Sequence, residues 1–401
     1  MDLQLVSGLG YDTGHALRRQ YEFAPRQWIT VDDENDRAWL LNACPVLLRE
    51  RVNLGYRHYR FVGARPQQFT FYAEDNAPFQ ATLRPGATYK FDDTNGRRLR
   101  NADKFQPVTV AKWLRANPSG CVLLLRGGGV GDLLFLTPAL REVRRRFPNC
   151  HLHVAVAPHH RRVMQGNPAI DALTSRDEAY ETAPHPFLVD LNYYLEAAND
   201  QQEVNRVNLF ARALGLNGLA DTNLAYAVTD EEREWVAETL RDLPRPIVAV
   251  QPHGSNPARH ATAERMQQIC AALKARGWSV VTVGLYAPAD GWGSDLHIGD
   301  QVALGQKAAV LEAANAYLGM DSGLTHLANA VGTPGVALYG PIDGALRVTG
   351  YPTCRVLQGN EYVNCPPCND NRQAKCGPFP QCMESIPIEV IVNAVADALK
   401  G

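Results

Sequence analysis

From about residue 118 onward, short continuous apolar runs alternate with amphipathic stretches, and a glycine-bearing turn separates most pairs. Cys121-Val-Leu-Leu-Leu125 is apolar throughout, as a parallel strand covered on both faces requires. The next stretch puts Leu133, Leu136, Leu140, Val143 and Phe147 on one helical face and leaves Arg141, Arg144 and Arg145 largely off it. Pro138 is awkward inside a helix. It belongs either in a first turn with Thr137 as N-cap, or at a kink in a helix that starts near Asp132. His151–Val156 predicts the next strand. The pattern restarts at Pro246 with a strand over Ile247–Val250, a loop over 251–260, a helix over 263–276 closed by Gly277, and a strand over Ser279–Val283. Residues 308–314, 316–319 and 322–331 read as helix, strand, helix. A strand over Gly335–Tyr339 and a closing helix over 387–399 complete the series. Two such βαβ halves, joined around 228–246, predict two doubly wound domains facing each other, with the ligand site in the cleft between them.

Residues 1–117 follow a different rule. The segments 56–62, 68–72 and 88–91 are rich in aromatic and β-branched residues, and turn signals at 74–78, 84–86 and 92–96 punctuate them. The mostly apolar 38–48 follows a turn or helix start at 31–35. The expectation is a small β-rich domain with one or two helices at 1–117, then domains at 118–235 and 236–401.

Charge and composition narrow the partners. The 401 residues carry a net charge of −2, which does not favour a dedicated duplex-binding protein. The region 1–117 holds 17 basic against 13 acidic residues, so a local basic surface exists there. No apolar run approaches the roughly 18 residues that a membrane span needs. Residues 1–12 show neither a basic n-region nor an apolar h-region, so no signal peptide is expected, the protein is placed in the cytoplasm, and its nine cysteines are expected as reduced thiols.

Three turns carry candidate chemistry. Arg126-Gly-Gly-Gly-Val-Gly-Asp132 lies between a strand and a helix. It is not a dinucleotide fingerprint, because the third glycine position falls on Asp132, and no Gly-Lys-Ser/Thr makes it a Walker loop. Gly128, Gly129 and Gly131 let another backbone or a ligand approach closely. Asp132 at a helix start would repel a pyrophosphate, so this turn suits a neutral acceptor hydroxyl; the alternative is an ordinary aspartate N-cap. In Gly319-Met-Asp-Ser-Gly-Leu-Thr-His326, Ser322 and Gly323 offer backbone N–H groups and a hydroxyl at a helix start, as a phosphate requires. Asp321 can accept from sugar hydroxyls, and His326 lies one turn further in, as a ligand contact or as a surface histidine. In Pro252-His-Gly-Ser-Asn-Pro-Ala-Arg-His260, Gly254 and Ser255 accompany Arg259, whose guanidinium suits a bidentate grip on phosphate. The pair His159-His160, followed by two arginines, reads as a solvated basic face.

A fourth constellation is Cys365, Cys368, Cys376 and Cys382, four cysteines within eighteen residues amid Pro and Gly. In a reducing compartment this spacing suggests a tetrahedral thiolate site for structural zinc or iron; the alternative is free thiols in a loop. The five other cysteines read as small core residues.

These turns together resemble the bacterial heptosyltransferases of glycosyltransferase family 9 over about 118–400. The likeness rests on the Arg126–Asp132 turn with Thr137-Pro-Ala-Leu140 after it, the glycine–serine loop with its cation, Asp321-Ser-Gly-Leu-Thr-His326 with Gly332-Thr-Pro334, and Tyr339-Gly-Pro341. The resemblance implies an α/β fold of GT-B architecture, with the acceptor on the first Rossmann-like domain and the nucleotide sugar on the second. It implies inverting transfer from ADP-heptose with no cofactor for catalysis, Asp132 as general base, Arg259 in place of the family's usual lysine, Asp321 on the donor sugar, and Ser322 and Gly323 on the diphosphate. His260-Ala261 stands where the family often has an aromatic residue. The late cysteines and the added N-terminal region also resemble the protein-acting, autotransporter branch of the family, whose cluster holds iron. A glycan acceptor is the leading expectation. A protein or modified DNA bound through 1–117 is the second, and a catalytically silent binding or assembly protein the third. An oligomer is compatible with all three.

Overall fold

The computed structural model describes residues 105–175, 187–191, 204–254, 256–285, 291–348, 351–368 and 380–400, with ten strands up to residue 107. The chain divides into two compact units, Met1–Gln106 and Pro107–Gly401. The first contains β1 (Asp2–Leu5), β2 (Tyr11–Asp12), β3 (Glu22–Phe23), β4 (Trp28–Thr30), β5 (Leu48–Glu50), β6 (Arg57–Phe61), β7 (Gln67–Tyr72), β8 (Pro78–Leu83) and β9 (Thr88–Phe91), and β10 (Phe105–Pro107) ends it. They pair as two three-stranded sheets, β4-β1-β5 and β10-β6-β9, and two hairpin-like pairs, β2-β3 and β7-β8. The three strands expected from sequence appear as β6, β7 and β9. Most of the apolar stretch 38–48 lies outside the described residues.

The second unit begins with α1 (Val110–Ala116), capped by Thr109, whose hydroxyl accepts from the Lys112 N–H. The sequence pattern puts this segment before a boundary at 117. Its buried Val110, Ala111 and Leu114 and the Ala111 N–H bond to the Leu214 carbonyl (2.9 Å) tie it instead to the second unit, so the division falls at 106.

Four parallel strands form the first sheet: β11 (Cys121–Leu125), β12 (His151–Val156), β13 (Ala172–Ser175) and β14 (Phe187–Asp190), in the order β13-β12-β11-β14. Between β11 and β12 run α2 (Val130–Leu134) and α3 (Thr137–Arg146). The predicted long helix is thus broken ahead of Pro138, which has no N–H and therefore sits without penalty in the first turn of α3. Leu136, not Thr137, is the N-cap; the Thr137 hydroxyl donates to the Leu134 carbonyl at 2.8 Å and accepts from Ala225 N–H at 3.0 Å. After β12 come a 3-10 turn (Pro158–His160) and α4 (Arg161–Met164); α5 (Arg206–Ala213) and α6 (Asp230–Thr239) then lead to the second sheet.

That sheet is parallel and six-stranded, in the order β17-β16-β15-β18-β19-β20. Its members are β15 (Ile247–Val250), β16 (Ser279–Val283), β17 (Leu296–Ile298), β18 (Ala316–Met320), β19 (Gly335–Tyr339) and β20 (Cys354–Gln358). The helices α7 (Ala263–Lys274), α8 (Leu304–Ala313), α9 (Gly323–Ala330), α10 (Ala345–Val348), α11 (Gln381–Glu384) and α12 (Ile388–Ala398) accompany it. Every residue of β15, β16, β18 and β19 is buried, which explains their mostly apolar runs, broken only in β16 by Ser279 and Thr282. No described helix is long and apolar enough to cross a membrane.

Candidate active site

In each sheet the strand order reverses at one pair, β11 and β14 in the first and β15 and β18 in the second. Open α/β sheets bind ligands in the crevice outside the carboxyl ends of such strands. The three turns singled out from the sequence leave β11, β15 and β18 at those ends. They converge on one cleft of about 550 Å³. Of the expected site residues, Gly129, Gly131, Asp132, Gly254, Arg259, Asp321, Ser322, Gly323 and His326 line it. Ser255 lies outside the described residues.

Asp132 is the third residue of α2, in its first turn as expected of a helix start, but the N-cap is Gly129. Its carboxylate accepts from the Gly129 N–H at 3.2 Å and faces Arg126 Nη2 at 3.2 Å. Gly128 behind it has φ +99°, a conformation that only glycine adopts cheaply, and a methyl there would meet the Asp132 carboxylate at 2.8 Å. The Arg126 side chain is 2% exposed and lies 5.5 Å over the Phe210 ring, whereas Asp132 keeps 36% of its side chain open. A buried cation thus anchors a carboxylate that still opens to the cleft.

On the opposite wall, Ser322 caps α9, as expected of a helix start. Its hydroxyl accepts from the Leu324 N–H at 3.2 Å and donates to Gln251 Oε1, so it serves the local fold rather than standing open to a ligand. Gln251 also accepts from the Tyr317 hydroxyl at 2.7 Å and donates to the His253 carbonyl at 2.8 Å, knitting the β15 and β18 turns together. Arg259 ends a 3-10 turn (Pro257–Arg259) and pairs with Asp321: Nη1 is 3.0 Å from Oδ2 and 3.4 Å from the Asp321 carbonyl. The motifs assign these two residues separate ligand roles and do not reveal that they touch. Asp321 is 5% exposed, and its Oδ2 has no aligned hydrogen-bond donor among the described residues despite the ion pair. His260 packs inward, with Nε2 at 3.0 Å from Gly254 N and 2.9 Å from Gly254 O, and burial holds its pKa below the ordinary value.

His326 is buried, neither a surface histidine nor an open ligand arm. Its Nδ1 lies 2.8 Å from the Tyr351 hydroxyl and its ring 4.4 Å from that of Phe135. Burial, with lesser contributions from Arg347 and Arg259, lowers its pKa to about 3, so the ring is neutral at physiological pH.

Sequence reading missed Gln251, His253, Arg206, Lys307 and Arg347, which also line the cleft. Lys307 is buried, donates to the Gly284 carbonyl at 3.0 Å, and is held below the usual lysine range by desolvation. Four cationic side chains against two carboxylates leave the cleft net positive, as an anionic ligand requires.

The cysteine cluster is only partly in view. Cys365 is exposed and Cys368 half-buried, while Cys382 is buried on α11. Cys376 lies outside the described residues. Among the described residues no three His, Cys, Asp or Glu side chains gather as metal ligands. Of the scattered cysteines, Cys150 and Cys270 are buried and Cys121 and Cys354 half-buried; burial raises the Cys270 and Cys354 thiols to about 12, as inert packing residues behave. His159 is exposed, as expected of a solvated face.

Comparison with known proteins adds to this geometry. A sequence model of glycosyltransferase family 9 (heptosyltransferase) matches residues 178–348. No curated protein sequence matches the chain. Among solved structures, a family 9 glycosyl transferase from Veillonella parvula is similar at 17% identity and a TM-score of 0.58, covering 70% of this chain and 97% of its own. ADP-heptose lipopolysaccharide heptosyltransferase II of E. coli is 15% identical with a TM-score of 0.54, covering 70% and 98%. The iron-containing dodecameric glycosyltransferase TibC of enterotoxigenic E. coli is 16% identical with a TM-score of 0.53, covering 87% and 92%. The protein is a glycosyltransferase of GT-B fold, with two Rossmann-like sheets facing a cleft.

Proposed function

We propose that the protein transfers a sugar, heptose in the leading reading, from a nucleotide-diphosphate donor such as ADP-heptose to an acceptor hydroxyl, with inversion. Asp132 takes the hydroxyl proton as the acceptor oxygen bonds to the anomeric carbon. The bond from that carbon to the diphosphate breaks on the opposite face, and the nucleoside diphosphate leaves. Arg259 and the backbone N–H groups at the start of α9 stabilise the departing charge. Asp321, with an oxygen lacking an aligned donor, is suited to accept from a sugar hydroxyl. The observation that carries this reading is that Asp132 and the Ser322-Gly323 helix start line one cleft from opposite sheets. In this reading 118–235 is the acceptor half and 236–401 the donor half. Calorimetry with ADP, UDP and GDP, followed by mass spectrometry of reactions offered the matching nucleotide sugars, is expected to show preferential ADP binding and consumption of ADP-heptose. Absence of binding by all three nucleotides would overturn the reading.

The acceptor divides the reading in two. A glycan hydroxyl is the first choice. A protein acceptor bound through Met1–Gln106 is the second; the likeness to TibC covers 87% of this chain, more than Pro107–Gly401 contains, so it reaches into that region. The same reading places the enzyme in the cytoplasm, where nucleotide sugars and reduced thiols occur, and admits an oligomer.

Cys365, Cys368, Cys376 and Cys382 form the proposed structural metal site, with a thiolate set that suits zinc or iron and leaves no position for catalysis. Elemental analysis of untagged protein is expected to give about one ion per chain. Trace metal with all four thiols titratable would dismiss the site.

A further inference from the structure

We propose that His326 is a positioning residue, a spacer that sets how closely the base-bearing turn approaches the donor-side helix start. This rests on the function proposed above and deepens it. The helices α2 and α9 meet across the cleft through one glycine each. A methyl on Gly131 would lie 2.6 Å from His326 Cδ2, and its three nearest neighbours are all atoms of that ring. A methyl on Gly323 would lie 3.1 Å from Val130 Cβ. The backbone next to Asp132 therefore rests on an imidazole, and the start of α9 rests on Val130.

The ring cannot retreat. Tyr351, itself 6% exposed, holds Nδ1 at 2.8 Å, and the Phe135 ring packs against it at 4.4 Å, tilted by 54°. An element clamped on these sides transmits displacement instead of absorbing it, because a close-packed interior has no room to yield. The height of the Asp132 carboxylate above the diphosphate-binding turn is thus set by the thickness of one ring. The effect on transfer is large because misplacement of reacting groups by about 1 Å can lower a rate 10²-fold.

Gly131 offers a clean test. It lies within α2 without a positive φ, so alanine suits the local backbone and raises helix propensity. Loss on Gly131→Ala would therefore report the clash with the ring. Gly131→Ala is expected to lower kcat roughly 10²-fold while ADP affinity by calorimetry changes less than about threefold, and to speed amide hydrogen exchange over 130–136. His326→Ala should lower kcat less. The double variant Gly131→Ala/His326→Ala should regain activity and exchange protection relative to Gly131→Ala alone, because the added methyl occupies the vacated space. Tyr351→Phe, a milder change that keeps the fold, should lower kcat severalfold with ADP affinity retained.

Additive losses in the double variant, or a fall in ADP affinity matching the fall in kcat, would overturn the spacer and mark His326 as a ligand contact. The exchange measurement needs no substrate. Rescue of exchange in a protein that transfers no sugar would keep the spacer and remove the proposed function, whereas transfer without rescue would do the reverse.

Discussion

Asp132→Asn is expected to lower turnover roughly 10²–10⁴-fold, the usual worth of a general base, while donor affinity stays near that of the parent protein. Asparagine keeps the shape and an oxygen that can accept from the Gly129 N–H, so the capping contact at the start of α2 survives. The variant loses the charge opposite Arg126 and the capacity to take a proton. Asp132 is 36% exposed but Arg126 is 2% exposed, so the substitution removes the counter-charge of a buried cation, and stability is expected to fall by about 1–3 kcal/mol. Arg126 also retains the Phe210 ring beneath its guanidinium. A purely structural role for Asp132 makes the opposite forecast, a small fall in melting temperature with transfer intact. Measuring Tm and turnover on this one variant separates the two, and near-parental transfer would remove Asp132 from the mechanism whatever its stability.

The parts of the site that were legible in the sequence are those encoded locally. A glycine turn between an apolar run and an amphipathic one marks a strand end and a helix start, and the residues at 126–132 and 319–323 obey that grammar. Relations between such turns were not legible. Arg259 and Asp321 are 62 residues apart, and no local pattern announces their pairing. His326 reads as a surface or ligand residue because its covering partner, Gly131, belongs to the other half. The strands of the second unit that the apolar pattern misses fail the same local test: β13 ends in Thr174-Ser175, β14 holds three apolar residues before Asp190, β17 has three residues, and β20 mixes exposed, half-buried and buried positions, so none presents a long apolar run. The helix α6 escapes the apolar pattern too, although its start carries a local signal. The Thr229 hydroxyl accepts from the Glu232 N–H at 3.3 Å while Glu232 accepts from the Thr229 N–H at 2.9 Å, a capping box visible as Thr-x-x-Glu. Lys307 gave no signal, because a lysine in an early helical turn is ordinary until its burial is known.

Arg259→Ala is expected to act twice, on binding and on the fold. Nucleotide-diphosphate affinity should weaken by about 1.5–3 kcal/mol, the worth of a hydrogen bond to a charged group. Stability should fall by about 3 kcal/mol, because the Asp321 side chain is 6% exposed and the substitution removes its counter-charge at 3.0 Å. The two effects separate in a second variant. Asp321→Asn combined with Arg259→Ala removes both charges, so the uncompensated carboxylate disappears and most of the lost stability should return. Binding should not return with it, since the guanidinium is still absent and Asp321 can no longer accept as a carboxylate from the sugar. Chemical denaturation and ADP calorimetry on the single and double variants give both quantities. Equal affinity in Arg259→Ala and the parent would remove Arg259 from the diphosphate site. Equal stability would show that Asp321 does not depend on this pair, and its proposed role toward the donor sugar would then need another electrostatic partner, for which Arg347 is a candidate lining the same cleft.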